Sequence, residues 1–116
     1  MTNSQSIDQT VETPIVCVRV SVGSFDPAHA DSIAELLSES GLTLIPALKR
    51  LTGLRHYHAG IDREAGAMVN VSVWDNLQAA QQMNTLVEMA SAAKAFISAG
   101  VQFERPIKNY ETVWSI

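Results

Sequence analysis

The sequence predicts an α+β domain of the ferredoxin-like kind, β-α-β-β-α-β, with two helices on one face of a four-stranded antiparallel sheet. Three observations predict it. Strand-like runs stand at 15–22, 54–61 and 67–74, the first and third rich in valine, with helical sequence between the first two. The run DREAG at 62–66 reads as a hairpin loop, which makes the second and third strands antiparallel neighbours. A long helical periodicity follows the third strand, and a fourth strand is expected within 101–116.

Each element has its own signal. IVCVRVSV forms the first strand, and Gly23 to Asp26 the turn after it. Asp26 is a helix-capping carboxylate followed by Pro27 at the first helical position. That helix is expected to run to about Ser40, with Gly41 at its C′ position, and a second helical piece, TLIPALKRL, to end before Gly53. Gly66 can supply the positive φ of the hairpin loop. Asp75 is expected to cap the later helix, with Gln78 as its capping-box partner. Leu77, Ala80, Leu86, Ala90 and Ala93 recur at helical spacing, a break is expected near Ala92, and Gly100 ends the helix. Pro106 marks an edge or a bulge in the last strand.

The 116 residues suit one domain, 14–116, behind a Ser/Thr/Gln-rich arm at 1–13. The chain is 47% apolar and 17% charged, a globular composition. A net charge of −4 with no basic stripe argues against nucleic acid and against anionic membrane surfaces. The N-terminal run lacks the apolar core of a signal peptide, and no apolar run approaches a membrane span of roughly 18 residues. Cys17 is the sole cysteine, so neither an internal disulfide nor a thiolate metal cluster is available. These features predict a soluble cytoplasmic protein.

The strand faces carry the functional signal. Val69, Val71 and Val73 share one face of the third strand, and Asn70, Ser72 and Trp74 the other. Val16, Val18, Val20 and Val22 share a face of the first. Two helices cover one sheet face only, so the valine face needs a cover. It would expose on the order of several hundred Å², more than soluble monomers usually show. Covering it on two chains yields about 20 kcal/mol gross, against association costs of roughly 4–15 kcal/mol. A homodimer with its sheets face to face is expected.

The polar face then lies under the helices. On the second strand the more apolar set, Tyr57, Ala59 and Ile61, is expected beside the valines, which a five-residue loop at 62–66 allows. His58 then lies near Asn70, and His56 near Ser72. A four-residue loop reverses this and brings Arg55 and Tyr57 to Asn70. Arg19 shares its face with Cys17 and Ser21, with Glu104 or Glu111 as its expected ion-pair partner. Buried Asn, Ser and His need hydrogen-bond partners, which a pocket holding a small-molecule ligand would supply.

The element order, the strand ending in NVSVWD, the helix after it and the tail YETVW resemble the dimeric α+β barrel superfamily over about residues 14–116. Within it, the antibiotic biosynthesis monooxygenase-like domain is most similar. The resemblance implies a monooxygenase that needs no bound cofactor and acts on a small aromatic or quinol substrate, whose deprotonated form reduces O₂. It also implies that Asn70 and Trp74, four positions apart, line the pocket and serve the oxidation. His58 is the candidate base and His56 the second, since imidazole titrates near neutrality. Ser72, Met83 and Lys94 are candidate substrate contacts. His56 and His58 form an H-x-H pair, but no third ligand stands at a telling spacing, so no metal is assigned. Residues 75–99 contain no His, against haem ligation from that helix. Phosphate-loop, dinucleotide and nucleophile-elbow motifs are absent. The rival readings are a non-catalytic small-molecule-binding dimer and a metal-dependent lyase using His56 and His58.

Overall fold

The computed structural model describes residues 15–116; the arm expected at 1–13 lies outside the described residues. Strand β1 (Cys17–Ser24) leads through a 3₁₀ turn, Pro27–His29, into helix α1 (Ala30–Lys49). Strands β2 (Leu54–Asp62) and β3 (Ala67–Trp74) form the hairpin. A short helix α2 (Leu77–Ala80), a 3₁₀ segment Gln81–Thr85 and helix α3 (Val87–Ser98) follow. Strands β4 (Gln102–Phe103) and β5 (Lys108–Glu111) end the fold.

The sheet is antiparallel in the order β2-β3-β1, with β4 and β5 both on the free edge of β1. This is the expected ferredoxin-like plan. The expected last strand is split: four residues, 104–107, stand opposite only two of β1, so the edge bulges at Pro106. The helices bury two apolar clusters against one sheet face. Cys17, Leu44, Leu48, Trp74, Ala80 and Met83 form one, and Phe25, Ala30, Ile33, Met68, Phe96 and Val101 the other.

Three local expectations are corrected. Helix α1 runs unbroken through Gly41 and Pro46. Its buried side chains, Ile33, Leu44, Ala47 and Leu48, continue on one face across both breakers, and Pro46 sits on the solvent side. Packing therefore outweighs a propensity cost of about 1 kcal/mol for Gly and ~3 kcal/mol for Pro. Asn76, not Asp75, caps the later helix: its Oδ1 accepts from the Ala79 N–H at 2.7 Å. The Asp75 carboxylate accepts instead from Arg55 Nε at 2.7 Å. The helix breaks at Leu86 rather than near Ala92. Gln82 holds that break by donating to Thr52 O and accepting from Thr52 N.

The fourth correction decides the site. The hairpin loop has four residues, 63–66, and Asp62 pairs with Ala67. Asp62 is both the last strand residue and the turn former. Its Oδ1 accepts from Ala65 N, and its carbonyl from Gly66 N, each at 3.0 Å. Gly66 holds φ at +70°, and its carbonyl accepts from Phe25 N at 2.9 Å. In the resulting register His56 faces Val73 and His58 faces Val71, whereas Tyr57 faces Ser72 and Ala59 faces Asn70. Tyr57 and Ile61 therefore pack under the helices, and Ala59, on the same strand face, stays exposed. His56 and His58 lie exposed on the valine face, with ring centroids 6.4 Å apart.

Candidate functional site

Between the helices and the polar sheet face lies a cavity of about 240 Å³. Strand parity builds its floor. Paired residues in adjacent antiparallel strands share a face, so Tyr57, Ser72, Arg19 and Asn109 form one row across the sheet. Asn70 and Ser21 form the next, with Ala59 beside Asn70 but exposed and outside the wall. The ceiling comes from α1 and α3 through Leu37, Leu44, Met89 and Phe96, and the β4–β5 edge adds Phe103 and Ile107. The break after α2 brings Met83 and Asn84 to the wall.

Arg19 is the charged centre of the site. It is 6% exposed, and Arg105 lines the same cavity. Its Nη2 donates to Asn84 Oδ1 at 2.9 Å and its Nη1 to Asn109 Oδ1 at 3.3 Å. The expected ion pair to Glu104 or Glu111 does not form. The ion pairs among the described residues join Arg50 to Glu88, Arg55 to Asp75 and Arg63 to Asp31. Burial pushes the Arg19 guanidinium below its ordinary value; Cys17 and Tyr57 oppose this and Arg105 adds to it. A guanidinium nonetheless stays protonated in proteins. Burial pushes the Tyr57 phenol up to about 12, with Arg19 pulling the other way. Tyr57 is therefore a neutral hydrogen-bond donor at physiological pH. The Cys17 thiol, buried and pushed up by desolvation, is not an activated nucleophile.

The sequence-expected site residues divide. Asn70, Ser72 and Met83 line the cavity together. The carboxamide of Asn70 makes no hydrogen bond to another described residue, so it is available to a ligand. Trp74 stands behind this wall: it is fully buried, and its Nε1 donates to Ser72 Oγ at 2.8 Å. It reaches the cavity only through Ser72. His56 and His58 are on the opposite sheet face, for the register reason given above. Lys94 is exposed and outside the wall, because the inward side of α3 carries Met89, Ala92, Ala93 and Phe96. Among the described residues no group of three or more His, Cys, Asp or Glu is placed to hold a metal ion.

Asn84 and Arg105 were not identified as site residues from the sequence, and Tyr57 entered only through the alternative four-residue loop. The parity of the hairpin loop is the signal for Tyr57. A polar residue at a helix break is a weak signal for Asn84. Arg105 follows only from the bulge.

The chain is thus an α+β domain with a partly polar cavity beneath its helices. Its fold is shared by solved structures of antibiotic biosynthesis monooxygenase-like proteins. An antibiotic biosynthesis monooxygenase-like protein from Deinococcus radiodurans aligns with a TM-score of 0.66 at 22% identity, covering 86% of this chain and 95% of that one. SnoaB, a cofactor-independent oxygenase from Streptomyces nogalater, aligns at 0.61 and 15% identity, covering 88% and 97%. A further antibiotic biosynthesis monooxygenase-like protein, from Chloroflexus aurantiacus, aligns at 0.57 and 15%, covering 87% and 96%. No family model matches the sequence, and no curated protein matches it. No helix among the described residues is long and apolar enough to cross a membrane.

Proposed function

We propose that the protein is a homodimeric, cofactor-independent oxygenase acting on a small aromatic or quinol substrate in this cavity. The observation that carries the reading is the unpartnered Asn70 carboxamide in an otherwise largely apolar chamber. Leu37, Leu44, Met89 and Phe96 offer apolar contact to a flat aromatic ring. The Asn70 amide N–H₂ and Ser72 Oγ can meet its oxygens.

The chemistry follows from such a substrate. A hydroxylated aromatic, or its keto tautomer, loses one proton to solvent. The anion passes one electron to O₂, and the radical pair couples to form a C–O bond at a ring carbon. The peroxide takes up a proton. The O–O bond then breaks as the remaining C–H proton leaves, giving a carbonyl and water. The donors at Asn70 stabilise charge on oxygen as it develops. Trp74 acts as a positioning residue for Ser72.

The valine face supports a dimer. Val18, Val20 and Val22 of β1 stand opposite Val73, Val71 and Val69 of β3, all only half-buried. Tyr110, Val113 and Trp114 extend the exposed apolar surface.

A second reading has its own support. Among the described residues the cavity wall carries no His, Asp or Glu, and so no base that titrates near neutrality. A non-catalytic small-molecule-binding dimer fits that wall. Oxygen consumption with a panel of dihydroxyaromatics separates the two. The enzyme reading expects uptake that falls about a hundredfold in Asn70→Ala. Uptake that is absent across the panel, or equal in the variant, overturns it in favour of the binding protein.

A further inference from the structure

The cavity's charge goes beyond what that reading requires, although the inference rests on the cavity being the ligand site. We propose that the ligand is a small aromatic bearing an anionic oxygen, received jointly by Arg19 and Tyr57.

Four observations converge. First, among the described residues the wall contains two cations, Arg19 and Arg105, and no carboxylate, in a chain whose net charge is −4. A one-signed, low-dielectric cleft concentrates the opposite charge. Second, Arg19 is buried against neutral amides only. Two of its five N–H donors reach Asn84 and Asn109, the latter at a long 3.3 Å. Buried charges in proteins are ordinarily paired, and among the described residues this one is not. Third, Tyr57 stands on the other side of Ser72 in the same row, and its hydroxyl bonds to no other described residue. Protonated at neutral pH, its hydroxyl has an O–H to give to an acceptor. Fourth, beside neutral serines and asparagines the wall carries Leu37, Leu44, Met89, Phe96 and Phe103, which suits a ring rather than a bare inorganic anion. Arg105 lies over the Phe103 ring, 5.0 Å from its centroid, at the exposed rim, where it would draw an anion inward.

A carboxylate would take the guanidinium fork in a bidentate pair, and a phenolate would take it singly. The two sources share one chemistry and separate in the test. The full chain is titrated calorimetrically with 2-naphthoate and with its neutral isostere, 2-naphthamide, and the absorption of bound 2-naphthol is recorded at neutral pH. The expected result is naphthoate binding about tenfold or more tighter than the amide, with a preference that shrinks as salt rises. A naphtholate band on binding identifies the phenolate source. Its absence alongside the naphthoate preference identifies the carboxylate source. Arg19→Met removes the preference, with an unchanged or raised melting temperature. Tyr57→Phe, which keeps the ring, weakens naphthoate alone by about threefold or more. If Arg19→Met does not fold, the wild-type pair and Tyr57→Phe decide.

Equal binding of acid and amide, or an undiminished preference in the folded Arg19→Met or in Tyr57→Phe, overturns the proposal while leaving the cavity a ligand site. Failure of all three probes to bind up to millimolar concentration overturns both.

Discussion

The indole Nε1 of Trp74 donates to Ser72 Oγ over 2.8 Å, two residues away on the same strand face, and both side chains are buried. The bond ties the most buried aromatic of the core to a hydroxyl on the cavity floor. The two partners are unequal when one is removed. Ser72→Ala strands a buried N–H and is expected to cost about 1–3 kcal/mol. Trp74→Phe loses the bond and opens space as well, and is expected to cost about 2–4 kcal/mol. In the double variant the two costs overlap, so urea unfolding at fixed protein concentration should give a total below their sum. Strict additivity would show that the bond carries no energy.

The hairpin tip gives a second prediction. Gly66 and Gly100 both have positive φ, +70° and +100°. A Cβ at Gly66 would lie 2.2 Å from the Phe25 carbonyl oxygen, whereas at Gly100 nothing lies within 4 Å. Gly100→Ala should cost only the conformational strain, about 1 kcal/mol. Gly66→Ala should cost more than about 2 kcal/mol, because backbone must also move. Equal losses in thermal unfolding would mean that the tip relaxes freely.

The fold was readable and the site only half so, for one reason. Strand order depends on element order and β-branched runs, which are long and redundant signals: three valines on β1 and three on β3 do not depend on any single residue. The content of the cavity depends on the parity of one loop. Whether Asp62 counts as strand or turn decides if Tyr57 or His58 meets Ser72 or Asn70. Hydropathy favoured the wrong answer, because a tyrosine and an isoleucine look like interface residues and histidines like site residues. Asp62 forms the turn with its own side chain while its backbone still pairs with Ala67, and a composition count does not register that double role. Asn70, Ser72 and Arg19 escaped the ambiguity because their parity is fixed within β1 and β3. Helix α1 shows the complementary failure. Gly41 and Pro46 are local stop signals, overruled by Ile33, Leu44, Ala47 and Leu48 packing along one face.

Tyr57 should make stability depend on alkaline pH. Its phenol ionises at about 12 in the fold, chiefly through burial, against an ordinary 10. The folded state therefore holds its proton where the unfolded chain has lost it. The corresponding stabilisation is fully present below pH 10 and is lost as pH rises towards 12, a loss of up to about 2–3 kcal/mol. Other groups also titrate there, so the measurement is the difference between wild type and Tyr57→Phe in urea midpoint from pH 9 to 11.5. The wild type should fall more steeply. Parallel curves would place the hydroxyl in contact with water.

The valine face supplies the last prediction. Val71 lies at its centre, opposite Val20 on one side and His58 on the other. Neither position is covered by a helix, since both helices pack on the face of Trp74 and Met68. If two such faces meet, a lysine at position 71 would place an ammonium against the partner's valines. An unpaired charge there should raise the dimer dissociation constant by at least about a hundredfold. In an isolated chain the same lysine would extend into water at little cost, because Val71 is only half-buried. Sedimentation should therefore show wild-type protein as a dimer at micromolar concentration and Val71→Lys as a folded monomer with an unchanged circular dichroism spectrum. Because the cavity lies on the other sheet face, within one chain, the monomer should still bind naphthoate. A wild-type monomer, or a variant that sediments as wild type does, would show that the exposed valines serve some other contact.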